Sequence, residues 1–241
     1  DETPAKEVTV YVTISNDGVP IRGKDGTILC HKAITVPYFD LSRYDMPEFY
    51  RFHTANGEGE YVDENIVERP TGLHLYLYLL ERYFIGLPEE ECGKGKYTRS
   101  DLEGFILRDD VLYMDEETAY TADTLAALKI TGSPTSLYMA NFWGHDENLM
   151  YYRNHCYPYM SPGWGSTSDY ILLSNGDTWD VAMYSNWSFW SSGGAFTCFD
   201  QDEYSVRPGT QMTVNTRAYG TTFEGSDFYP FSNLDVFLYN D

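Results

Sequence analysis

From Val8 to Ser15 the apolar residues Val8, Val10, Val12 and Ile14 alternate with Thr9, Tyr11 and Thr13. A period of two sends alternate side chains to opposite faces, so this segment predicts a half-buried strand. Asn16-Asp17-Gly18 and Lys24-Asp25-Gly26 follow, and both supply residues that tolerate the positive φ of tight turns. Ile28 to Val36 reads as a second strand ending before Pro37. Asp40 to Pro70 is polar and aperiodic and contains Pro47 and Gly57-Glu58-Gly59, the composition of a long surface loop. Thr71 suits the N-cap of a helix over Gly72 to Ile85. Within it Leu73, Leu77, Leu80 and Phe84 recur at three- and four-residue spacing, and Gly86 and Pro88 end it.

Residues 89–135 are acidic and mixed, with a helical period only over Thr121 to Lys129. The apolar runs Tyr170 to Leu173 and Thr178 to Tyr184 flank Asn175-Gly176, which predicts a β-hairpin. Parity along the second run puts Trp179, Val181 and Met183 on a core face and Asp180, Ala182 and Tyr184 on the other. Glu203 to Thr216 and Asn233 to Tyr239 read as later strands. The pattern predicts an α+β, mostly β fold with one main helix. It divides into a domain over residues 1–200 and a C-terminal β extension over residues 201–241, whose strands resemble part of an immunoglobulin-like module.

Composition narrows the chemistry. Aromatic residues make up 17% of the chain, including 22 tyrosines, against roughly 8–9% in average usage. Tyrosine both stacks and hydrogen-bonds at low entropic cost, which suits ligand capture, although β proteins also place it freely on half-buried faces. The formal charge of −21 repels phosphate backbones and anionic lipid, so nucleic acid and membrane surfaces are poor partners and no nucleic acid is expected, while a neutral glycan loses nothing. No stretch approaches the roughly 18–20 apolar residues of a membrane span, so no membrane insertion is expected. The chain opens at Asp1, which fits a processed, exported product. Cys30, Cys92, Cys156 and Cys198 form no C-x-x-C pair. They allow up to two disulfides or four thiols, and a domain of this size does not require staples.

The recognisable catalytic and phosphate-binding motifs are missing; Gly163-Trp164-Gly165-Ser166-Thr167 lacks the spacing of a nucleophile elbow. Glycosidase chemistry needs two carboxylates across a cleft. Asp169 with Asp180, or Asp200 with Asp202, qualify on paper, but among 37 acids such pairs arise by chance and read as solvated charge. His74, on the expected helix, reads as a packed or solvated side chain rather than a ligand. No catalytic residue, metal ligand or cofactor is assigned.

All five tryptophans, Trp143, Trp164, Trp179, Trp187 and Trp190, fall between Asn141 and Phe199. Sugar rings present C–H faces that stack on indole and phenol rings, while neighbouring Asp, Asn and Gln fix hydroxyls. Trp179 belongs to the core by parity. Trp187 and Trp190 precede Ser191-Ser192-Gly193-Gly194, where loop geometry exposes indoles, and exposed aromatic clusters mark interaction sites. The stacking candidates are therefore Trp187, Trp190 and Tyr184. Asn186, Asp200 and Gln201 are candidates for hydroxyl contacts, followed by Trp164 and Tyr159.

Four stretches carry a family resemblance: Asn141-Phe142-Trp143-Gly144-His145, Asn148-Leu149-Met150-Tyr151-Tyr152, Pro162-Gly163-Trp164-Gly165-Ser166-Thr167-Ser168-Asp169, and Leu173 with Gly176-Asp177. With Thr71-Gly72-Leu73-His74 they resemble a domain of unknown function from large surface proteins of gut Firmicutes, itself similar to the transcobalamin C-terminal-like domain. The likeness spans roughly residues 5 to 200. It implies a β-grasp-like core and an extracellular, cell-surface location, with Trp143, Gly163, Trp164 and Asp169 as fold-keeping residues. In aromatic content and length the chain also resembles the starch-binding domain of amylosome starch adherence system proteins. The surface-protein family has no single function, but with the tryptophan cluster and the acidic charge the expectation is non-catalytic binding of a neutral glycan, and the starch-binding likeness implies an α-glucan such as starch or maltooligosaccharide. The alternatives are a corrinoid-binding domain and a protein–protein adhesion module that meets other cell-surface modules of the same polypeptide or complex.

Overall fold

The alternation at the start of the chain becomes β1 (Glu7–Asn16), in which Val8, Val10, Val12 and Ile14 are buried and Thr9, Tyr11 and Thr13 half-buried. The structure is a computed structural model. It describes residues 6–44, 68–97, 128–133, 136–144, 149–157, 159–161, 164–165, 171–184, 196–219, 230 and 234–236. Asp17 at φ 47° and Gly18 at φ 77° turn the chain into β2 (Val19–Pro20), which returns along β1. The second expected strand is shorter than its apolar pattern. His31 adopts φ 47° and breaks it, so Ile28 only bridges Arg22 and the regular strand is β3 (Lys32–Pro37).

The expected surface loop begins with a buried 3-10 turn over Leu41–Tyr44. Leu41 and Tyr44 are both fully buried, which corrects the reading of Asp40 onward as surface; residues 45–67 lie outside the described residues. The helix forms where its spacing predicts, as α1 (Gly72–Leu79) continued by a π-helical turn over Leu80–Ile85. Gly86 at φ 87° ends it, a left-handed conformation that glycine adopts without strain. Every residue of α1 is buried, so it is a core helix rather than an amphipathic surface one.

Then come β4 (Leu128–Ser133), β5 (Ser136–Phe142), β6 (Leu149–Arg153), β7 (Tyr159–Ser161), β8 (Trp164–Gly165), β9 (Thr178–Met183), β10 (Thr197–Phe199) and β11 (Thr216–Ala218). Leu128 and Lys129 thus start a strand where a helical period was expected, and Thr121 to Ala127 lie outside the described residues. In the main sheet β1 pairs antiparallel with β2 and β3 and parallel with β9, and β9 pairs antiparallel with β6. The result is α+β and mostly β.

The hairpin expected across Asn175-Gly176 does not form. Thr9 N–H donates to Asn175 Oδ1 at 2.7 Å and Gly176 N–H to Thr9 O at 2.9 Å, so the turn docks on β1. Leu172 bridges Thr71 instead of β9. With its turn tied to the start of β1, β9 runs parallel to that strand.

Val8, Val10, Val12, Ile14, Trp179, Val181 and Met183 share the inner face of the sheet with Ile34 and Val36, and α1 closes over them. Each fully buried Leu, Ile or Val contributes about 1.5–3 kcal/mol, and this layer dominates the stability. Among the described residues no helix is long and apolar enough to cross a membrane.

Beyond position 200, β11 pairs with β10 and so joins residues 216–218 to residues 197–199. The strand expected over Glu203 to Thr216 is irregular up to Asn215, and its apolar residues Val206 and Met212 are exposed. Among the described residues no second layer covers them. Residues 234–236 carry no strand and are exposed, and Phe237 to Tyr239 lie outside the described residues.

Candidate functional site

Cross-strand register decides which side chains share the outer face. Thr13 lies opposite Asp180, Tyr152 opposite Asp180, and Met150 opposite Ala182. This face is polar at its centre. The segment containing β10 and β11 covers its β9–β6 end: Tyr219 meets Tyr152 edge-on at 4.6 Å, and Phe196 meets Tyr152 at 5.6 Å and Tyr184 edge-on at 5.6 Å.

The centre of this layer is a histidine held by two carboxylates. A two-residue turn, Asn154 at φ 51° and His155 at φ 60°, closes β6 onto Cys156, with paired bonds between Arg153 and Cys156 at 3.0 Å. Both turn positions need positive φ, which Asn and His accept more readily than most residues. His155 Nδ1 donates to Asp180 Oδ2 at 2.9 Å and Nε2 to Asp202 Oδ1 at 2.5 Å, while Tyr219 O–H donates to Asp180 Oδ2 at 2.8 Å. Ionised carboxylates only accept, so the two bonds are made together only when both ring nitrogens carry protons, as in the imidazolium form. Burial alone lowers its pKa, but the hydrogen bonds and charges of Asp180 and Asp202 outweigh this and hold it above the ordinary 6.5.

A second network fixes the turn itself. Arg153 Nε donates to Asp177 Oδ2 at 2.9 Å and Asn154 Nδ2 to Asp177 Oδ1 at 3.0 Å. Ser174 N–H also donates to Asp177 Oδ2, and Thr178 N–H to Asn154 Oδ1 at 3.0 Å. The two turns, 154–155 and 174–177, are thereby locked together, and His155 is aimed by backbone rather than by its own flexibility.

The expected site residues divide. Tyr184 is half-buried and joined to the outer layer through Phe196. Trp187, Trp190 and Asn186 lie outside the described residues. Trp164 is in β8 and Tyr159 in β7, a separate two-stranded ladder. Gln201 is exposed. Asp200 is committed within its own segment: Tyr204 O–H donates to its Oδ1 and Asn215 Nδ2 to its Oδ2, and these bonds hold its carboxyl below the ordinary range. The better-placed carboxylate is its neighbour Asp202, oriented by His155 with its side chain 45% exposed.

Asp180 is 6% exposed, which corrects its reading as solvated charge. Sequence reasoning missed the cluster, although it left a signal: an acid set between Trp179 and Val181 in a strand apolar on both sides. The cysteines are all thiols; burial pushes Cys198 up to about 11 and Cys92 up to about 12, so neither is a reactive thiolate. Among the described residues no group of three His, Cys, Asp or Glu is placed to hold a metal ion. No protein-family model, no curated protein and no solved structure matches the chain.

Proposed function

We propose that the chain is a non-catalytic module that binds a neutral polysaccharide, an α-glucan such as starch or maltooligosaccharide, at the bacterial cell surface. One observation carries the reading. Tyr184 and Phe196, the residues on either side of 185–195, are in ring contact at 5.6 Å, so both ends of the segment bearing Trp187 and Trp190 are pinned to one aromatic layer. On the same outer layer Asp202, fixed by His155, is oriented to accept hydroxyl hydrogens from a sugar. A β-grasp-like core is proposed with it, supported by a first strand parallel to β9, a hairpin partner β3 and a helix across one face.

Affinity gel electrophoresis and calorimetry against starch, maltooligosaccharides and other neutral glycans test the reading. Trp187→Ala with Trp190→Ala should weaken α-glucan binding by about tenfold or more, since a lost aromatic contact costs roughly 0.5–1.5 kcal/mol beyond its area. A flat response of the unaltered protein to every glycan sinks the proposal. A visible-range spectral change on adding cobalamin replaces it with corrinoid binding.

A further inference from the structure

His155 is more than a brace, because its two carboxylate partners come from different parts of the chain and differ in exposure. Asp180 belongs to β9 and its side chain is 8% exposed; Asp202 follows β10 and is 45% exposed. We propose that His155 is a proton-operated latch fastening the segment Phe196–Tyr219 to the outer face, closed while the imidazole is protonated and released at Asp202 when it is not.

The groups around the ring set the direction. Asp180 faces it from β9 and Asp202 from the residues after β10, and Tyr219, after β11, meets it ring to ring at 5.3 Å while donating to Asp180. Cys198 of β10 and Arg217 of β11 lie in the same charge environment, Cys198 feeling Asp180, Asp202 and Arg217 together. Tyr152 of β6 closes the layer. On deprotonation one ring nitrogen becomes an acceptor and its lone pair faces a carboxylate. The proton stays on Nδ1, because buried Asp180 would otherwise keep only the Tyr219 hydroxyl as a donor, whereas Asp202 can be rehydrated. Nε2 therefore loses its proton, and Asp202 lets go. Tyr219 still holds Asp180, so the segment loosens at 200–215 before its end at Tyr219 detaches.

The sign follows from the upward displacement of the His155 pKa. The latch contributes its full stability below the ordinary 6.5 and loses it as pH rises through the higher folded value.

The test combines proton NMR of the His155 ring with amide hydrogen exchange, expressed as protection factors so that intrinsic base catalysis cancels. The reporters are the Asp200 amide, bonded to Asn215 O at 2.9 Å, and the Ile14 amide, bonded to Leu29 O at 3.0 Å, as control. In the unaltered protein His155 should titrate above 6.5, and on raising pH through the midpoint Asp200 protection should fall about tenfold for each unit by which the Asp202 contact raises that midpoint, with Ile14 unchanged. Asp202→Asn, at an exposed position, should lower the midpoint and shift the loss of protection with it. His155→Gln should abolish the pH dependence. Titration of His155 at or below 6.5, or an unshifted pH dependence in Asp202→Asn, overturns the proposal even if His155→Gln fails to fold.

Discussion

On the inner face of β9, Trp179 lies parallel to Tyr151 at 6.0 Å and edge-on to Tyr76 at 5.8 Å. One residue along, on the outer face, Asp180 collects hydrogen bonds from His155 and Tyr219. The inner face works by area and dispersion, which are non-directional and insensitive to pH. The outer face works by placed donors and acceptors, which contribute less but depend on geometry and protonation. A strand buried on both sides can thus anchor the fold with one parity and orient a site with the other.

The largest blow to this contrast is Trp179→Ala, which opens a cavity in the inner layer and should cost about 3–5 kcal/mol in urea unfolding. A cost below that of any outer-face change would erase the distinction. Acid should come next. His74 Nε2 donates to Phe39 O at 2.9 Å and Thr71 N–H donates to Nδ1 at 3.1 Å, so the ring is neutral, and burial lowers its pKa to about 4 against a weaker opposing effect of the Phe39 bond. The unfolded state binds the extra proton between 6.5 and about 4. Stability should fall by roughly 3 kcal/mol as pH drops through that window, and His74→Gln should remove most of the slope. The two histidines therefore oppose each other: His74 destabilises toward acid, and His155 loses its contribution toward alkali.

Asp180→Asn probes the outer face alone. It leaves His155 and Tyr219 with a weaker acceptor and should cost about 2 kcal/mol, and the His155 ring titration should move down in pH. No movement of that midpoint would make Asp180 a packing residue. Gly176→Ala should have the smallest effect, about 1 kcal/mol by thermal unfolding. A Cβ there meets no atom within 4 Å, so the penalty is that of φ 86° alone.

Parity along β9, the ends of β1 and the helix from Thr71 were legible because each follows from a local period. What β9 pairs with was not. Asn175-Gly176 announces a turn correctly, but the partner of the following strand depends on Thr9, far away in sequence, capturing both turn residues. The break at His31 was hidden in an unbroken apolar run, since nothing in residue type forbids φ 47° there. Tyr184 was legible as an outer-face aromatic. The His155 cluster was not, because its four members, His155, Asp180, Asp202 and Tyr219, come from separate segments. Asp200 and Asp202 look alike in sequence, and only the hydrogen bonds separate an internal brace from an oriented acceptor.

The ring contact between Tyr184 and Phe196 also sets how freely the residues between them can vary. Once the ends of a segment are held together, lengthening it costs only closure entropy, about 0.6 kcal/mol for each doubling. A change of length between the two rings should therefore add little closure entropy for as long as Tyr184 and Phe196 stay in contact.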